Sequence, residues 1–221
     1  MRKTDFVNDE YYHIYNRGVD KREIFLCNDD YKRFVCSMRD FNALDPIGSI
    51  FEKRMRERKG VKSFGRGTSK LVEILCYCLN PNHYHFILRQ LSERGVEKFM
   101  KRLGNGYTKY FNHRYDRSGV LFQGSFRSVY IENNEQLLHL SAYINANHFI
   151  HGFEKELPSK SNYLYSSSGL FLKKQKNDVC DPIEIVNQFD AGTDEYKNFL
   201  DVNAQFFKEK KEVERDHYML E

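Results

Sequence analysis

The chain has 221 residues, and its 35 Lys and Arg exceed its 31 Asp and Glu by a formal charge of +4. This length fits one core domain with an appended segment, while 40% hydrophobic and 15% aromatic residues exclude a wholly disordered or collagen-like chain. No apolar run approaches the roughly 20 residues that cross a bilayer, and the first residues lack the apolar stretch of a signal peptide, so we expect a soluble cytoplasmic protein.

The first elements predicted along the chain are a strand, a helix and a basic loop. Tyr11–Asn16 is rich in strand-forming residues and is followed by a turn signal. After Asn28, aromatic and aliphatic residues recur at helical spacing up to Phe41. Residues 52–70 hold eight basic residues against two acidic ones, with three glycines and no periodicity, which indicates a loop.

Two consecutive strands and a helix are predicted next. Leu71–Leu79 is a nearly continuous apolar run with the length of a buried strand, and Asn80-Pro81-Asn82 breaks it. The chain then resumes as HYHFILR, a second extended run. From Val96 to Phe111, apolar residues return at helical spacing with basic residues on the other faces, which predicts an amphipathic helix.

The remaining pattern predicts one more strand, a last core helix and a mostly helical tail. Gly119–Ile131 is typical of a loop followed by a strand, and residues 133–135 are suited to begin a helix that continues to about Phe149. The order β-α-β-β-α-β-α predicts an α+β fold, a ferredoxin-like antiparallel sheet with helices packed on it. Beyond Pro158 we expect a loop, a short helix and a charged helix over Tyr196–Glu214.

Charge divides the chain into two parts. Residues 1–152 carry 25 Lys and Arg against 17 Asp and Glu, whereas residues 153–221 carry 10 against 14. We therefore predict a basic core domain, residues 1–152, that docks a polyanion, and an acidic C-terminal extension, residues 153–221. The five cysteines form no CxxC pair, which favours reduced thiols over a disulfide framework or a zinc site.

His83 and His85 are the first candidates for metal ligands. Because one residue separates them in a predicted strand, both imidazoles project from the same face and can converge on one cation. On the last core helix, Tyr143 and Asn147 lie one turn apart. Two imidazoles and an amide oxygen suit Mg²⁺ or Mn²⁺, which acts as a Lewis acid on a phosphodiester. The competing interpretations are a chance histidine pair and a core tyrosine.

Four segments, in fixed order, carry a family resemblance: YHIYNRGVDKREIF, LCYCLNPNHYHFIL, GYTKYFNHRYDRSGVLFQGSFRSVYI and LSAYINANHFIHG. They resemble the REP-associated tyrosine transposases, relatives of the single-tyrosine transposases of bacterial insertion sequences within the HUH endonuclease superfamily. The resemblance runs from about Tyr11 to Gly152. It implies a ferredoxin-like catalytic domain that cuts and joins single-stranded DNA with the help of a metal, and hence a protein associated with the nucleoid.

The resemblance also implies roles for individual residues. His83 and His85 match the two histidines of the HUH motif, Asn147 matches the third metal ligand of relatives, and Tyr143 falls where the family carries its nucleophile. The expected product is a 5′-phosphotyrosine intermediate on hairpin or palindromic DNA. The family commonly has an Arg after LFQG where this chain has a serine, which shifts the expected phosphate contact to Arg127.

Basic side chains are expected to hold the DNA backbone, while aromatic rings stack on unpaired bases. Three tyrosines of the preceding helix region, Tyr107, Tyr110 and Tyr115, are rival nucleophiles, and His13 is a further residue that could approach the site. The predicted DNA-binding residues are Arg17, Lys53, Arg54, Arg56, Arg58, Lys59, Lys62, Arg66, Lys101, Arg102, Lys109, Arg114 and Arg127.

Two other functions stay open. The chain could be a non-catalytic module that binds single-stranded DNA or RNA on the same fold, with structural histidines. It could also be a metal-dependent nuclease that activates water and does not need Tyr143. The sequence leaves monomer and homodimer both open, and the acidic extension could dock on the core or bind a partner.

Overall fold

A computed structural model describes residues 5–45, 48, 50, 52, 55, 58–59, 69–153, 165–172 and 178–218. In this part the chain forms four strands, seven α-helices and one short 3₁₀ helix at Val19–Lys21. The strands are β1 (Tyr11–Arg17), β2 (Val72–Asn80), β3 (His83–Gln90) and β4 (Arg127–Tyr130). The helices are α1 (Asn28–Phe41), α2 (Gly95–Arg114), α3 (Asn134–Asn145), α4 (Asn147–Ile150), α5 (Ser168–Phe171), α6 (Ile183–Val186) and α7 (Thr193–Tyr218).

The four strands form one antiparallel sheet in the order β2-β3-β1-β4. α1 connects β1 to β2 and α2 connects β3 to β4, which is the ferredoxin-like arrangement. The two central strands pair along their length, from Tyr11 opposite Arg89 to Arg17 opposite His83. The predicted α+β class and its sheet are thereby confirmed.

One face of the sheet is packed against α1 and α2. Both helices turn a stripe of large side chains toward the strands, as their helical spacing predicts. Phe34 of α1 lies with its ring 4.8 Å from that of Tyr107 of α2 and 5.4 Å from that of Tyr84 of β3. These rings, with Phe86 of β3, belong to one hydrophobic core. Burial of this core holds the two helices on the sheet.

The other face of the sheet is covered by α3 and by residues of the predicted acidic extension. Ile87 of β3 and Cys76 of β2 belong to a second hydrophobic core together with Tyr196 of α7. Tyr196 is fully buried, and its hydroxyl accepts a hydrogen bond from Asn145 Nδ2 at 2.8 Å. The extension therefore shares a hydrophobic core with the sheet.

Strand β2 is buried on both faces, which explains its nearly continuous apolar sequence. Its pairing with β3 shifts register between Ile74 and Cys76, as a β-bulge does. Ile74 belongs to the core under α1 and α2, whereas Leu75 and Cys76 both belong to the core under α3.

The last core helix was predicted as one continuous element, but the structure divides it into two helices. α3 ends at Asn145, and Ala146, with φ −94° and ψ 0°, separates it from α4. The Ala146 N–H bonds to the carbonyls of both Ala142 and Ile144, so the last turn of α3 tightens. Tyr143 and Asn147 consequently lie on two different helices.

Two predictions about the whole chain concern its cysteines and its membrane-spanning potential. All five cysteines lie in the described part and none forms a disulfide there, and Cys76, Cys78 and Cys180 are buried. No helix among the described residues combines the length and apolar character needed to span a bilayer.

Candidate functional site

A cleft of about 420 Å³ opens on the face of the sheet that carries α3. The ends of β1 and β3, the loop before β4, and the α3–α4 region all contribute to its walls. Among the described residues, those that line it include no Asp or Glu and are Tyr15, Asn16, Arg17, His83, His85, Gln123, Arg127, Tyr143 and His151. The cleft is therefore suited to an anionic ligand.

The alternation of side chains along β3 places both candidate histidines in this cleft. Tyr84 and Phe86 point into the core under α1 and α2, so His83 and His85 point to the opposite face. Their ring centroids are 5.2 Å apart and the rings are nearly perpendicular, at 88°. Because the two residues are only 7% and 8% exposed, only a small part of each ring is open to solvent.

Asn147 lies beside His83 although it is on α4. Its Oδ1 is 3.1 Å from His83 Nε2. Asn80, at the end of β2, donates from Nδ2 to both of these atoms, at 2.6 Å to Asn147 Oδ1 and 2.9 Å to His83 Nε2. The amide NH₂ of Asn80 thus contacts two of the three predicted ligand atoms.

The tautomer of His83 follows from its other hydrogen bond. Nδ1 lies 2.6 Å from Asn82 Oδ1, which can only accept, so Nδ1 carries the proton. Nε2 then has a free electron pair, which accepts from Asn80. This is the tautomer that binds a metal through Nε2, held by a neighbouring acceptor as in many metal sites.

His85 has an imidazole as its neighbour. His13 Nε2 lies 2.9 Å from His85 Nδ1, and the two rings are stacked at 5.2 Å. Of the two nitrogens one donates and the other accepts. If His85 donates, its Nε2 keeps a free electron pair. His13, which the sequence left as a secondary candidate, is therefore in direct contact with a predicted ligand.

Burial keeps these imidazoles neutral. It lowers the pKa of His83 to about 4, with a smaller opposing effect from the hydrogen bond to Asn147. It also lowers the pKa of His13 to about 4. The pKa of His85 is held well below its ordinary value by burial and by the neighbouring histidines. Neutral imidazole is the form that ligates a metal.

The residues present fit a divalent metal by donor type. Two neutral imidazoles and one amide oxygen are grouped here, with Asn147 Oδ1 3.1 Å from His83 Nε2, and Asn147 Nδ2 has no hydrogen-bond partner among the described residues. No group of three His, Cys, Asp or Glu among the described residues is placed to hold a metal. A cation here would depend on the Asn147 oxygen, a ligand type that Mg²⁺ and Mn²⁺ accept.

Tyr143, the predicted nucleophile, lines the same cleft from α3. Its ring is 5.9 Å from that of His85 and nearly perpendicular to it. On its other side, Phe207 of α7 makes an edge-to-face contact with a ring separation of 5.2 Å. The structure thus brings Tyr143, His83, His85 and Asn147 to one place.

The rival tyrosines lie on the far side of the sheet, around α2. Tyr107 is buried and donates to the Ile24 carbonyl at 2.6 Å. Tyr110 and Tyr115 donate to Asp30 at 2.9 and 2.7 Å. Burial, with Asp30 as a further cause, raises the pKa of Tyr110 to about 12 and raises those of Tyr107 and Tyr115 as well. Their hydroxyls are engaged away from the cleft.

The predicted DNA-binding residues divide by location. Arg17 and Arg127 line the cleft. Arg102 donates to the Ala43 carbonyl at 2.5 Å, and Arg114 pairs with Asp29 at 3.5 Å, so both make contacts within the protein.

The other predicted basic residues are not near the cleft or are not described. Lys101 and Lys109 are exposed on α2, which packs on the opposite face of the sheet. Arg58 and Lys59 are exposed in the stretch between α1 and β2. The remaining members of the predicted basic loop lie outside the described residues: Lys53, Arg54, Arg56, Lys62 and Arg66.

Two residues of the site were missed by sequence reasoning. Asn80 was treated only as a turn residue, yet a two-residue turn at Pro81-Asn82 pairs it with His83, and this pairing was readable from the sequence. His151 lines the cleft with its ring 5.1 Å from that of His83. No local pattern distinguishes His151 from the other histidines, because its position depends on where α4 ends.

Residues 49–147 match the family model described as "Transposase IS200 like". No curated protein matches the chain.

One solved structure shares the fold. A REP-associated tyrosine transposase bound to a REP hairpin superposes with a TM-score of 0.51 and 19% identity, over 87% of this chain and 96% of that chain. A provisionally assigned transposase from Deinococcus radiodurans has a TM-score of 0.36 and 14% identity, over 65% and 95%. The tRNA(His) guanylyltransferase of Saccharomyces cerevisiae has a TM-score of 0.36 and 8% identity, over 89% and 80%. The last two likenesses are too low to bear on the fold.

Proposed function

Because residues 49–147 match the family model of IS200-like transposases, we propose that the chain is a member of that family and that it cuts and rejoins single-stranded DNA with Tyr143 as the nucleophile. The observation that supports this most directly is the placement of Tyr143 in one cleft with His83 and His85, where the charged residues among the described lining are Arg17 and Arg127. The rival tyrosines, by contrast, donate their hydroxyl protons to groups on the other side of the sheet.

The chemistry proposed is transesterification at a phosphodiester. Tyr143 Oη forms a bond to phosphorus, the bond from phosphorus to the 3′-oxygen breaks, and the tyrosine proton is transferred to that oxygen. The product is a 5′-phosphotyrosine and a free 3′-hydroxyl. Because one phosphoester replaces another, a 3′-hydroxyl of a second strand can reverse the step and join new ends.

The proposed metal site is formed by His83, His85 and Asn147. When bound, Mg²⁺ or Mn²⁺ would supply Lewis-acid stabilisation of the charge that develops on the phosphate. The chain's own contribution is orientation. Asn82 fixes the tautomer of His83, His13 contacts His85, and Phe207 packs against the Tyr143 ring. A phenol with a pKa near 10 is a weak nucleophile at neutral pH, so placement at the phosphate is what the site must provide.

The proposed substrate is hairpin or palindromic DNA with unpaired bases. Arg17 and Arg127 can contact its backbone at the cleft, and the ring of Tyr15 at the wall offers a stacking surface. The structural relative that carries a REP hairpin supports a hairpin substrate here. A DNA substrate of this kind would place the protein in the cytoplasm, at the nucleoid.

The test is adduct formation with a labelled hairpin oligonucleotide pool. Wild type, Tyr143→Phe and Tyr15→Phe are incubated with Mn²⁺ or Mg²⁺ and run on a denaturing gel. Tyr15→Phe is the matched control, since Tyr15 is a second tyrosine of the same cleft. We expect a metal-dependent protein–DNA adduct in wild type and Tyr15→Phe and none in Tyr143→Phe.

Other results would overturn this proposal in specific ways. Cleavage that persists in Tyr143→Phe without an adduct would mean metal-dependent hydrolysis by water. Salt-sensitive binding with neither adduct nor cleavage in wild type would mean a non-catalytic nucleic-acid-binding module.

A further inference from the structure

Helix α7 of the acidic extension contacts the cleft residues through one face. Phe207 and Lys211 lie one helical turn apart, and Phe207 packs against the ring of Tyr143. Lys211 Nζ donates to the Ile150 carbonyl at 3.2 Å and to His151 Nδ1 at 2.8 Å. His151 in turn lines the cleft, next to His83. A lysine of the extension therefore binds a histidine of the candidate site.

The contact with Lys211 determines the tautomer of His151. An ammonium group has donors and no acceptor, so His151 Nδ1 must hold a free electron pair. The neutral ring then carries its proton on Nε2.

The two neighbouring histidines of the cleft are thus fixed in opposite tautomers. His83 carries its proton on Nδ1, where it donates to Asn82, and presents an electron pair on Nε2. His151 carries its proton on Nε2, the nitrogen that Lys211 does not occupy. One imidazole is suited to accept or to ligate, and the other to donate.

If DNA occupies the cleft, one of its phosphates can accept a hydrogen bond from the Nε2–H of His151. Among the described residues that line the cleft, Arg17 and Arg127 are charged and none is acidic, so this lining favours an anionic group such as phosphate. A phosphate has acceptor oxygens only, and an N–H donor pre-oriented toward it binds with little reorganisation. The His151 ring lies 5.1 Å from that of His83, close to the proposed reaction centre.

We propose that Lys211 of the C-terminal extension holds His151 in its Nε2–H tautomer, so that His151 donates a hydrogen bond to a phosphate of the bound DNA. His151 is then a substrate-binding residue and Lys211 a positioning residue that acts through it. This inference rests on the proposed function, because it requires DNA in the cleft.

The test combines tautomer measurement with a double-mutant cycle. The variants are Lys211→Met, His151→Phe and the double variant, with Lys210→Met as control. Lys210 is the adjacent lysine of α7, is exposed, and loses the same charge. Thermal unfolding of each variant checks that it folds. Nitrogen-15 imidazole spectra of the metal-free protein at pH 7, assigned with His151→Phe, report the tautomer, and fluorescence anisotropy in EDTA reports affinity for a labelled hairpin oligonucleotide.

The expected results distinguish a Lys211 that acts through His151 from a Lys211 that attracts DNA by its own charge. In wild type and Lys210→Met, His151 is the Nε2–H tautomer, and in Lys211→Met a substantial fraction changes to Nδ1–H. Lys211→Met and His151→Phe each weaken DNA binding about tenfold, the scale of one hydrogen bond to a charged group, while Lys210→Met changes it less than twofold. In the double variant, Lys211→Met adds nothing to the effect of His151→Phe.

Three outcomes would overturn the inference. Additive effects in the double variant would mean that Lys211 acts on DNA by itself. Affinities of Lys211→Met and His151→Phe equal to that of Lys210→Met would mean that the contact only ties α7 to α4. A wild-type protein that binds no hairpin would overturn the proposed function together with this inference, whereas the first two outcomes leave the proposed function intact.

Discussion

His13 Nε2 lies 2.9 Å from His85 Nδ1, across the two central strands of the sheet. Register explains the contact, because His13 pairs with Ile87 and is therefore diagonal to His85 on the same face. The contact fixes the orientation of the His85 ring. When His85 is the donor, the electron pair of its Nε2 is available to a cation, so His13 is a supporting residue for the proposed metal site.

Replacing His13 by phenylalanine keeps a ring of similar size and removes the nitrogen that His85 contacts. We expect the affinity for Mn²⁺, measured by calorimetry, to fall about 10- to 100-fold, the usual effect of losing such a supporting contact. His113→Phe is the control, since His113 is exposed on α2. Equal Mn²⁺ affinity in the two variants would argue against a supporting role for His13.

The buried histidines predict how stability depends on pH. The pKa values of His13 and His83 are about 4 in the folded protein, below the value near 6.5 expected when unfolded. Between these values the unfolded chain binds more protons, so the free energy of unfolding decreases as the pH is lowered from about 6.5 toward 4. Each such histidine accounts for up to about 1.4 kcal/mol per pH unit in this window.

Urea unfolding in EDTA at pH 7, 6 and 5 measures this loss, above the range in which most carboxylates titrate. His83→Asn should show a shallower decrease than wild type, because it removes one titrating group. If both proteins lost the same free energy between pH 7 and pH 5, His83 would not be responsible for the pH dependence.

Two glycines of α2 provide a matched test of packing against α1. A Cβ added at Gly106 would lie 2.5 Å from the Phe41 ring, whereas one added at Gly104 would meet no atom within 4 Å. Gly106→Ala should lower the free energy of unfolding by about 1–3 kcal/mol through overpacking. Gly104→Ala should raise it by about 0.5–1 kcal/mol, since alanine favours the helix. Denaturant midpoints that move in the same direction would contradict this packing.

Asp30 is a buried carboxylate that organises the start of α1. Its side-chain oxygens accept from the backbone N–H of Leu26 and Cys27 and from the hydroxyls of Tyr110 and Tyr115. In Asp30→Asn an NH₂ group faces some of these donors, so we expect the free energy of unfolding to fall by about 2–4 kcal/mol.

The control for this change is Asp29→Asn in the same helical turn, where the side chain is 62% exposed. It should change the free energy of unfolding by less than about 0.5 kcal/mol. Similar losses in the two variants, measured by denaturant unfolding, would show that general charge near the helix N-terminus matters and not the hydrogen bonds of Asp30.

The local periodicity of apolar residues in the sequence was sufficient to predict most of the fold. Alternation in HYHFILR predicted that His83 and His85 share a face, and helical spacing predicted the buried stripes of α1 and α2. The break at Ala146 was not predictable in this way, because every residue from Leu137 to Ile150 is compatible with one continuous helix. Ala146 is buried in the second hydrophobic core, so the break lies at a packed position and not at a local stop signal.

The site was only partly predictable because several of its contacts join distant parts of the chain. The contact between His13 and His85 depends on strand register, and that between His151 and Lys211 depends on how α7 docks. Neither leaves a local pattern in the sequence. The second hydrophobic core illustrates the same limit, since the charged sequence around Tyr196 does not indicate that this side chain becomes fully buried.

The alternation along β3 has a consequence for how the protein tolerates change. A slip of one residue between β1 and β3 would move His83 and His85 into the apolar core and turn Tyr84 and Phe86 toward the cleft. Correct folding and assembly of the site are therefore one event. A single-residue insertion or deletion in the turn at Pro81-Asn82 would disturb the neighbouring register, that of β2 against β3, which places Asn80 opposite His83.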